Sequence, residues 1–366
     1  MTGPFAGAID CDVHLQVPST NDLLPFLDEY WRDQITQRHI HKGAFHLQSY
    51  PPNAPISCRA DWRGPDGVNG GDFAFFREHM LDAFGVRHAI CNVLHGSIAL
   101  FNEDMASALC SAVNDWVARE WLDRDPRLRA SILLPMHNPE TAAREIERLA
   151  PDRRFVQALV PLMGDLPLGR RIHWPVFRAA EKHDLPIGIH AGSLYRHAPT
   201  AAGWPSYQIE DAVNQSGGFE NQLVSLVAEG VFNAFPRLKV VCIESGFTWL
   251  PTLMWHMDKS WRGMRAETPW LDRPPSEFIR EHVRFTLQPM DAPDARRLAR
   301  TLAHVGDDNL LLFSTDYPHW QFDGLAAMPE GLPDETRRRI MIDNPLATYP
   351  RLAESVAATP VREHAR

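Results

Sequence analysis

The sequence lacks any run of basic residues, and its 37 Lys and Arg set against 46 Asp and Glu leave a formal charge of −9. Binding to phosphate backbones needs clustered cations, so no nucleic-acid partner is expected. Cysteine is scarce and unpaired in pattern: Cys11, Cys58, Cys91, Cys110 and Cys242 are odd in number, scattered and without a C-x-x-C pair. That usage fits reduced thiols and excludes a disulfide framework or a cysteine-rich zinc module. No apolar run reaches membrane-spanning length, and residues 1–9 show no basic start leading into an apolar stretch. A cytoplasmic protein with no membrane partner is therefore the expectation. With only 22 glycines in 366 residues the chain is neither collagen-like nor low-complexity. Rossmann and P-loop glycine fingerprints are absent too, as is any repeat at a fixed period.

What is present is alternation. Short apolar, β-branched runs occupy residues 8–14, 87–94, 128–135, 155–162, 185–190, 238–244, 283–287 and 309–316. Amphipathic stretches at 105–123, 139–149, 174–183, 219–235, 292–305 and 333–344 read as helices between them. Parallel strands joined by helices are buried on both faces, which explains why the runs are nearly all apolar. Eight such units predict an α/β fold closed as a (β/α)8 TIM barrel, a single domain over residues 1–355 with a flexible tail at 356–366. Two long irregular excursions, 48–72 and 192–218, are expected to overhang the carboxyl ends of the strands, the face on which barrel active sites are built.

Ionisable residues gather at those strand ends. Asp12 and His14 close the first run, His190 the fifth, Glu244 the sixth and Asp316 the eighth. In a strand the side-chain period is two, so Asp12 and His14 project to the same side and can chelate together. Any one of these residues alone reads as a hydrogen-bonded structural group. Two imidazoles and two carboxylates meeting at one barrel mouth suit a single divalent cation, with zinc placed first and manganese or iron as alternatives. Such a site keeps a position open for water, which the ion acidifies.

Further residues around the mouth are candidates for substrate contact. His95 and His137 follow the second and third strands. Arg59 and Arg63, with Trp62 between them, offer guanidinium groups that pair with carboxylates and an aromatic plane that covers a ring. His319, followed by Trp320, stands three residues beyond Asp316. The aromatic segment from Trp249 to Trp261 has helical spacing and is assigned to packing.

The segments Asp-Cys-Asp-Val-His at 10–14, Leu-Pro-Ile-Gly-Ile-His-Ala-Gly at 185–192, Ile-Glu-Ser-Gly-Phe-Thr-Trp-Leu-Pro at 243–251 and Ser-Thr-Asp-Tyr-Pro-His at 314–319 together resemble the amidohydrolase superfamily. The likeness is narrower to the amidohydrolase-related group that includes aminocarboxymuconate-semialdehyde decarboxylase and the resorcylate decarboxylases. It implies a metal-dependent TIM barrel in which Asp12 and His14 take the place of a first-strand ligand pair, usually His-x-His or Glu-x-His. It also implies that His190 is the fifth-strand ligand, that Asp316 both binds metal and relays a proton, and that the chain forms a homo-oligomer. Two positions depart from the pattern: Asp12 is shorter than Glu and anionic unlike His, and Glu244 stands where many relatives carry a catalytic histidine. An ionised Glu244 can accept, ligate or take a proton, but it cannot act as a cation.

The leading expectation is a hydrolase of a small organic amide, ester or related bond, with Asp316, Glu244 and His190 in catalytic roles and metal-activated water as the nucleophile. The second is a non-oxidative decarboxylase of a hydroxyaromatic or unsaturated carboxylate, in which Asp316 delivers a proton to carbon. A third reading, from a different class, is a barrel that binds or scaffolds without catalysis. The partner in the first two is a small molecule, aromatic or carboxylate in character.

Overall fold

The computed structural model describes residues 3–40, 57–64, 70–319 and 323–354. Eight strands run in chain order: β1 (Ile9–His14), β2 (His88–Asn92), β3 (Leu128–Leu133), β4 (Phe155–Met163), β5 (Ile187–Ser193), β6 (Val240–Ile243), β7 (Val283–Thr286) and β8 (Leu311–Leu312). Each pairs in parallel with the next, from β1 to β8. The ring closes between the segment after β8 and β1. Cys11 N donates to Phe313 O at 2.9 Å, Asp316 N to Asp12 O at 3.1 Å and His14 N to Tyr317 O at 2.8 Å. The expected (β/α)8 barrel is the fold, and closure sets the backbones of Asp12 and Asp316 side by side.

Every expected strand is found, although the eighth is shorter than its apolar run. Asp307 caps a 3-10 turn at Asp308–Leu310 by accepting from Asn309 N at 2.9 Å, which removes the start of the run from the ladder. The helix Pro139–Leu149 has its expected limits, begun by the Asn138 cap and a proline in its first turn.

The helix expected from residue 219 instead begins at Gln208 and runs to Ala228. Its start is fixed by Glu210, whose carboxylate accepts from Ser206 N at 2.7 Å and Tyr207 N at 2.8 Å. The Gly217-Gly218 pair that reads as loop is helical because of packing: a Cβ on Gly218 would lie 2.9 Å from the Leu162 side chain of β4. The second excursion is thus confined to the stretch before Gln208. Most of the first, at 48–56 and 65–69, lies outside the described residues, as do Trp320 and the tail at 356–366.

Beneath the barrel, at the amino ends of the strands, the segment following Asn344–Thr348 supplies the buried Tyr349 and Arg351. The Arg351 guanidinium donates to Phe155 O at 2.9 Å and to His183 O at 2.8 Å, closing the end opposite the mouth. No helix among the described residues is long and apolar enough to cross a membrane.

Candidate metal centre

The pleat of β1 turns Asp12 and His14 into the barrel, and both are fully buried. His14 Nε2 lies 3.2 Å from Asp12 Oδ1 and 3.2 Å from Asp316 Oδ1. From β5, His190 Nε2 comes within 3.3 Å of His14 Nε2 and 3.5 Å of Asp12 Oδ1. Ligands bound about 2.0–2.2 Å from one cation stand about 3.0–3.4 Å apart, so this spacing fits a shared ion. Asp12, His14 and His190 come together at the mouth, and Asp316 adjoins them through His14.

The imidazole orientations agree with such a site. His190 Nδ1 is 2.9 Å from the Ala191 carbonyl, to which it donates, and this leaves its Nε2 lone pair aimed into the cluster. Asp12 Oδ2, His14 Nδ1 and His319 Nε2 are buried without a hydrogen-bonding protein partner, an arrangement that costs stability unless something polar or charged joins them. A second grouping, His14, Glu244, Asp316 and His319, shares His14 with the first, so the two adjoin at that imidazole.

Glu244 and Asp316 sit just beyond β6 and β8 with φ of 53° and 59°, in the left-handed region that non-glycine residues seldom occupy. Thr286 on the neighbouring strand holds the first of these turns by accepting from Glu244 N at 2.9 Å. Glu244 Oε2 stands 3.8 Å from His190 Nδ1 and 3.9 Å from His319 Nδ1. His319 packs deeper than its loop position suggests. Its Nδ1 is 2.8 Å from Asp316 Oδ1 and its ring stacks on His14 at 4.2 Å, so it belongs to the cluster itself.

Burial alone would raise the Asp12 carboxyl, but His14 and His190 outweigh it and hold Asp12 far below the usual carboxylate range. Burial likewise opposes charge on His14, yet Asp12 and Asp316 lift it well above its ordinary value. For Asp316, burial is overcome chiefly by His319, leaving it lowered. Glu244 moves the other way, raised by burial and by the Asp316 charge. The carboxylates thus favour the protonated form of the His14 imidazole, and a divalent cation bound there would compete with that proton.

Beside the cluster opens a cavity of about 300 Å³, bordered by Gly192, Asp211, Gln215, Glu244, Trp249 and His319 among others. Its lining holds no Lys or Arg among the described residues. Trp249 combines two tasks: its Nε1 donates to Ser245 O at 2.9 Å and its ring packs on Phe285, while it also faces the cavity. The packing assigned to the Trp249–Trp261 segment is thus only part of its role, and Trp255 within it is exposed.

The other candidates are engaged elsewhere. His95 caps the short helix Gly96–Ala99, its Nδ1 accepting from Ser97 N at 3.2 Å. His137 Nε2 lies 2.5 Å from Leu100 O and 2.7 Å from the Arg196 guanidinium, and burial together with that cation lowers its basicity. Arg59 pairs bidentately with Asp61 at 2.7 and 2.8 Å, and Arg63 is exposed. Between them, Trp62 packs edge-on against Tyr317, the neighbour of Asp316.

Asn92 is the participant that sequence reasoning passes over: its Nδ2 donates to Asp12 Oδ1 at 2.8 Å. The signal was available, because Asn92 is a polar residue ending an apolar strand and stands in register with His14. Asp211 and Gln215 enter from the first turns of the helix that was expected to begin only at residue 219.

Comparison with known proteins agrees with this geometry. The chain is 27% identical over 276 residues to a gamma-resorcylate decarboxylase from Rhizobium radiobacter, covering 68% of this chain and 77% of that one. An amidohydrolase from Mycobacterium avium subsp. paratuberculosis superposes with a TM-score of 0.69 at 21% identity, over 94% of this chain and 99% of the other. A dihydroxybenzoic acid decarboxylase from Polaromonas sp., with bound manganese and the inhibitor 2-nitroresorcinol, superposes with a TM-score of 0.67 at 20% identity, over 94% and 97%. These relatives favour the second of the two reactions raised from the sequence over the hydrolysis placed first. An amidohydrolase family model matches residues 9–351, and the chain, a (β/α)8 barrel, belongs to the amidohydrolase family.

Proposed function

We propose that this protein is a divalent-metal-dependent, non-oxidative decarboxylase of a hydroxyaromatic carboxylic acid. The observation that carries the reading is sequence likeness to gamma-resorcylate decarboxylases over most of their length, in a chain with a buried centre of two imidazoles and two carboxylates. Asp12, His14, His190 and Asp316 would hold the ion. Manganese is preferred to zinc: a structural relative carries it, and this mixed oxygen and nitrogen donor set accommodates it.

When bound, the ion supplies a positive centre that draws the substrate's carboxylate and adjacent hydroxyl oxygens to one point. With no Lys or Arg among the described cavity-lining residues, that centre is also where an anionic group is best accommodated. Trp249 offers a flat apolar wall for the ring, and the 300 Å³ cavity suits a single aromatic ring with small substituents. Asp316 Oδ1 takes a proton from His319 Nδ1, 2.8 Å away, and passes it to the ring carbon that bears the carboxylate. The ring's π electrons accept that proton; the carbon–carbon bonding pair then returns to the ring as carbon dioxide leaves. Glu244, near His319 and open to the cavity, restores the proton.

The test is carbon dioxide release from a panel of mono- and dihydroxybenzoates by the manganese-loaded protein. Release confined to acids with a hydroxyl next to the carboxylate is expected. Turnover of amides or esters with no carbon dioxide from any hydroxybenzoate would overturn the proposal in favour of hydrolysis.

A further inference from the structure

Asp12 is the end of a chain of side chains that crosses the barrel interior. Tyr349 OH lies 3.0 Å from Gln157 Oε1, Gln157 Nε2 lies 2.8 Å from Ser131 Oγ, Ser131 Oγ lies 2.6 Å from Asn92 Oδ1, and Asn92 Nδ2 lies 2.8 Å from Asp12 Oδ1. All five residues are buried. They come from β1, β2, β3, β4 and the segment that closes the far end of the barrel.

The chemistry of one end sets the direction of every bond. An ionised carboxylate only accepts, so Asn92 must turn its amide nitrogen to Asp12 and its oxygen to Ser131. The single Ser131 proton then goes to Asn92, which leaves the serine oxygen to accept from Gln157 Nε2. Gln157 accordingly presents Oε1 to Tyr349, which donates. Four donors point one way, toward the proposed ligand, and each bond polarises the next in surroundings of low dielectric. Room for this chain is built into β5: a Cβ on Gly188 would lie 2.5 Å from Gln157 Cδ, so a larger residue there would displace the amide.

We propose that Asn92, Ser131, Gln157 and Tyr349 are positioning residues that orient Asp12 and tune its affinity for the cation from the opposite end of the barrel. This rests on the metal-centre reading given above. Asp12 is a short ligand, so its reach depends on how its carboxylate is held. Asn92 fixes one oxygen, and the rest of the chain fixes Asn92.

The experiment titrates Mn²⁺, without substrate, into the metal-free full-length protein and its Asn92→Ala, Tyr349→Phe and doubly substituted variants, with thermal unfolding of each metal-free form alongside. Outer partners of metal ligands typically contribute ten- to hundredfold in affinity, so Asn92→Ala should weaken Mn²⁺ binding by about that factor. Tyr349→Phe, which removes one hydroxyl, should weaken it by about three- to tenfold. In the Asn92→Ala background the tyrosine substitution should change affinity by less than about twofold, because the chain is already cut. A structural role alone would lower the unfolding temperature without this non-additivity. Unchanged affinity in Tyr349→Phe, or equal losses in both backgrounds, overturns the relay while leaving the metal reading intact. Failure of the unsubstituted protein to bind Mn²⁺ overturns the metal reading and the relay with it.

Discussion

His14 and His190 face each other through their Nε2 atoms at 3.3 Å although they are 176 residues apart in the chain. The His190 ring has already committed its Nδ1 proton to Ala191 O, so two bare nitrogens meet only if a proton or a cation lies between them. Removing one of them should be decisive. His190→Ala is expected to lower bound divalent metal from about one ion per chain to below a tenth of that after chelation and reloading, as read by elemental mass spectrometry. Full retention of the ion would exclude His190 as a ligand.

Metal uptake should strengthen with rising pH. Asp12 and Asp316 keep His14 protonated above its ordinary range, and an incoming ion must expel that proton. Below the raised value the ion competes with the proton, so apparent affinity should fall by about tenfold per pH unit for each proton released. Manganese titrations between about pH 6 and 9 check the slope, and a flat profile would show that no cluster proton is displaced.

Asp316→Asn preserves shape and removes the exchangeable proton. At manganese concentrations that saturate the variant, carbon dioxide release should remain lower by about 10²–10⁴-fold, the usual share of a positioned acid. Full recovery on adding metal would reduce Asp316 to a ligand.

Asp10 lies one pleat below Asp12 and accepts from Thr315 N at 3.0 Å and from Thr315 Oγ1 at 2.7 Å. Burial pushes its carboxyl from 3.8 up to about 7, against those two bonds. The folded protein thus keeps a proton that the unfolded chain gives up. The associated stability is complete below the unfolded value and is lost as pH rises through about 7. Asp10→Asn should flatten this dependence. Relative to the variant, the metal-free protein should lose stability between about pH 4 and 7, with a slope of at most about 1.4 kcal/mol per pH unit, and run parallel to it above that. Parallel denaturation profiles for the two proteins would contradict the raised value.

The sequence disclosed the barrel because strands buried on both faces must be nearly all apolar, and the candidate ligands Asp12, His14, His190 and Asp316 because they are ionisable residues at or just beyond strand ends. Less was legible where local signals compete. Gly217-Gly218 reads as a break but serves close packing against Leu162, which hid the first turns of the helix that bring Asp211 and Gln215 to the cavity. His319 was expected at the mouth as a substrate contact, and its stacking on His14 was not legible because that depends on closure between the two ends of the barrel. Asn92 was passed over although, as the polar end of an apolar strand in register with His14, it carried a signal. The ionisable residues themselves did not separate hydrolysis from decarboxylation, since the same donors can activate water or gather a substrate's oxygens; only the narrower resemblance pointed to the second.

The ring is sealed by bonds such as the one between Asp10 and Thr315, which are 305 residues apart. During synthesis the first strand must therefore wait, one edge unsatisfied, until the segment around Thr315 has been made. Asp12 and Asp316 cannot meet before then, so a site that needs both, as proposed above, can form only after the ring has closed.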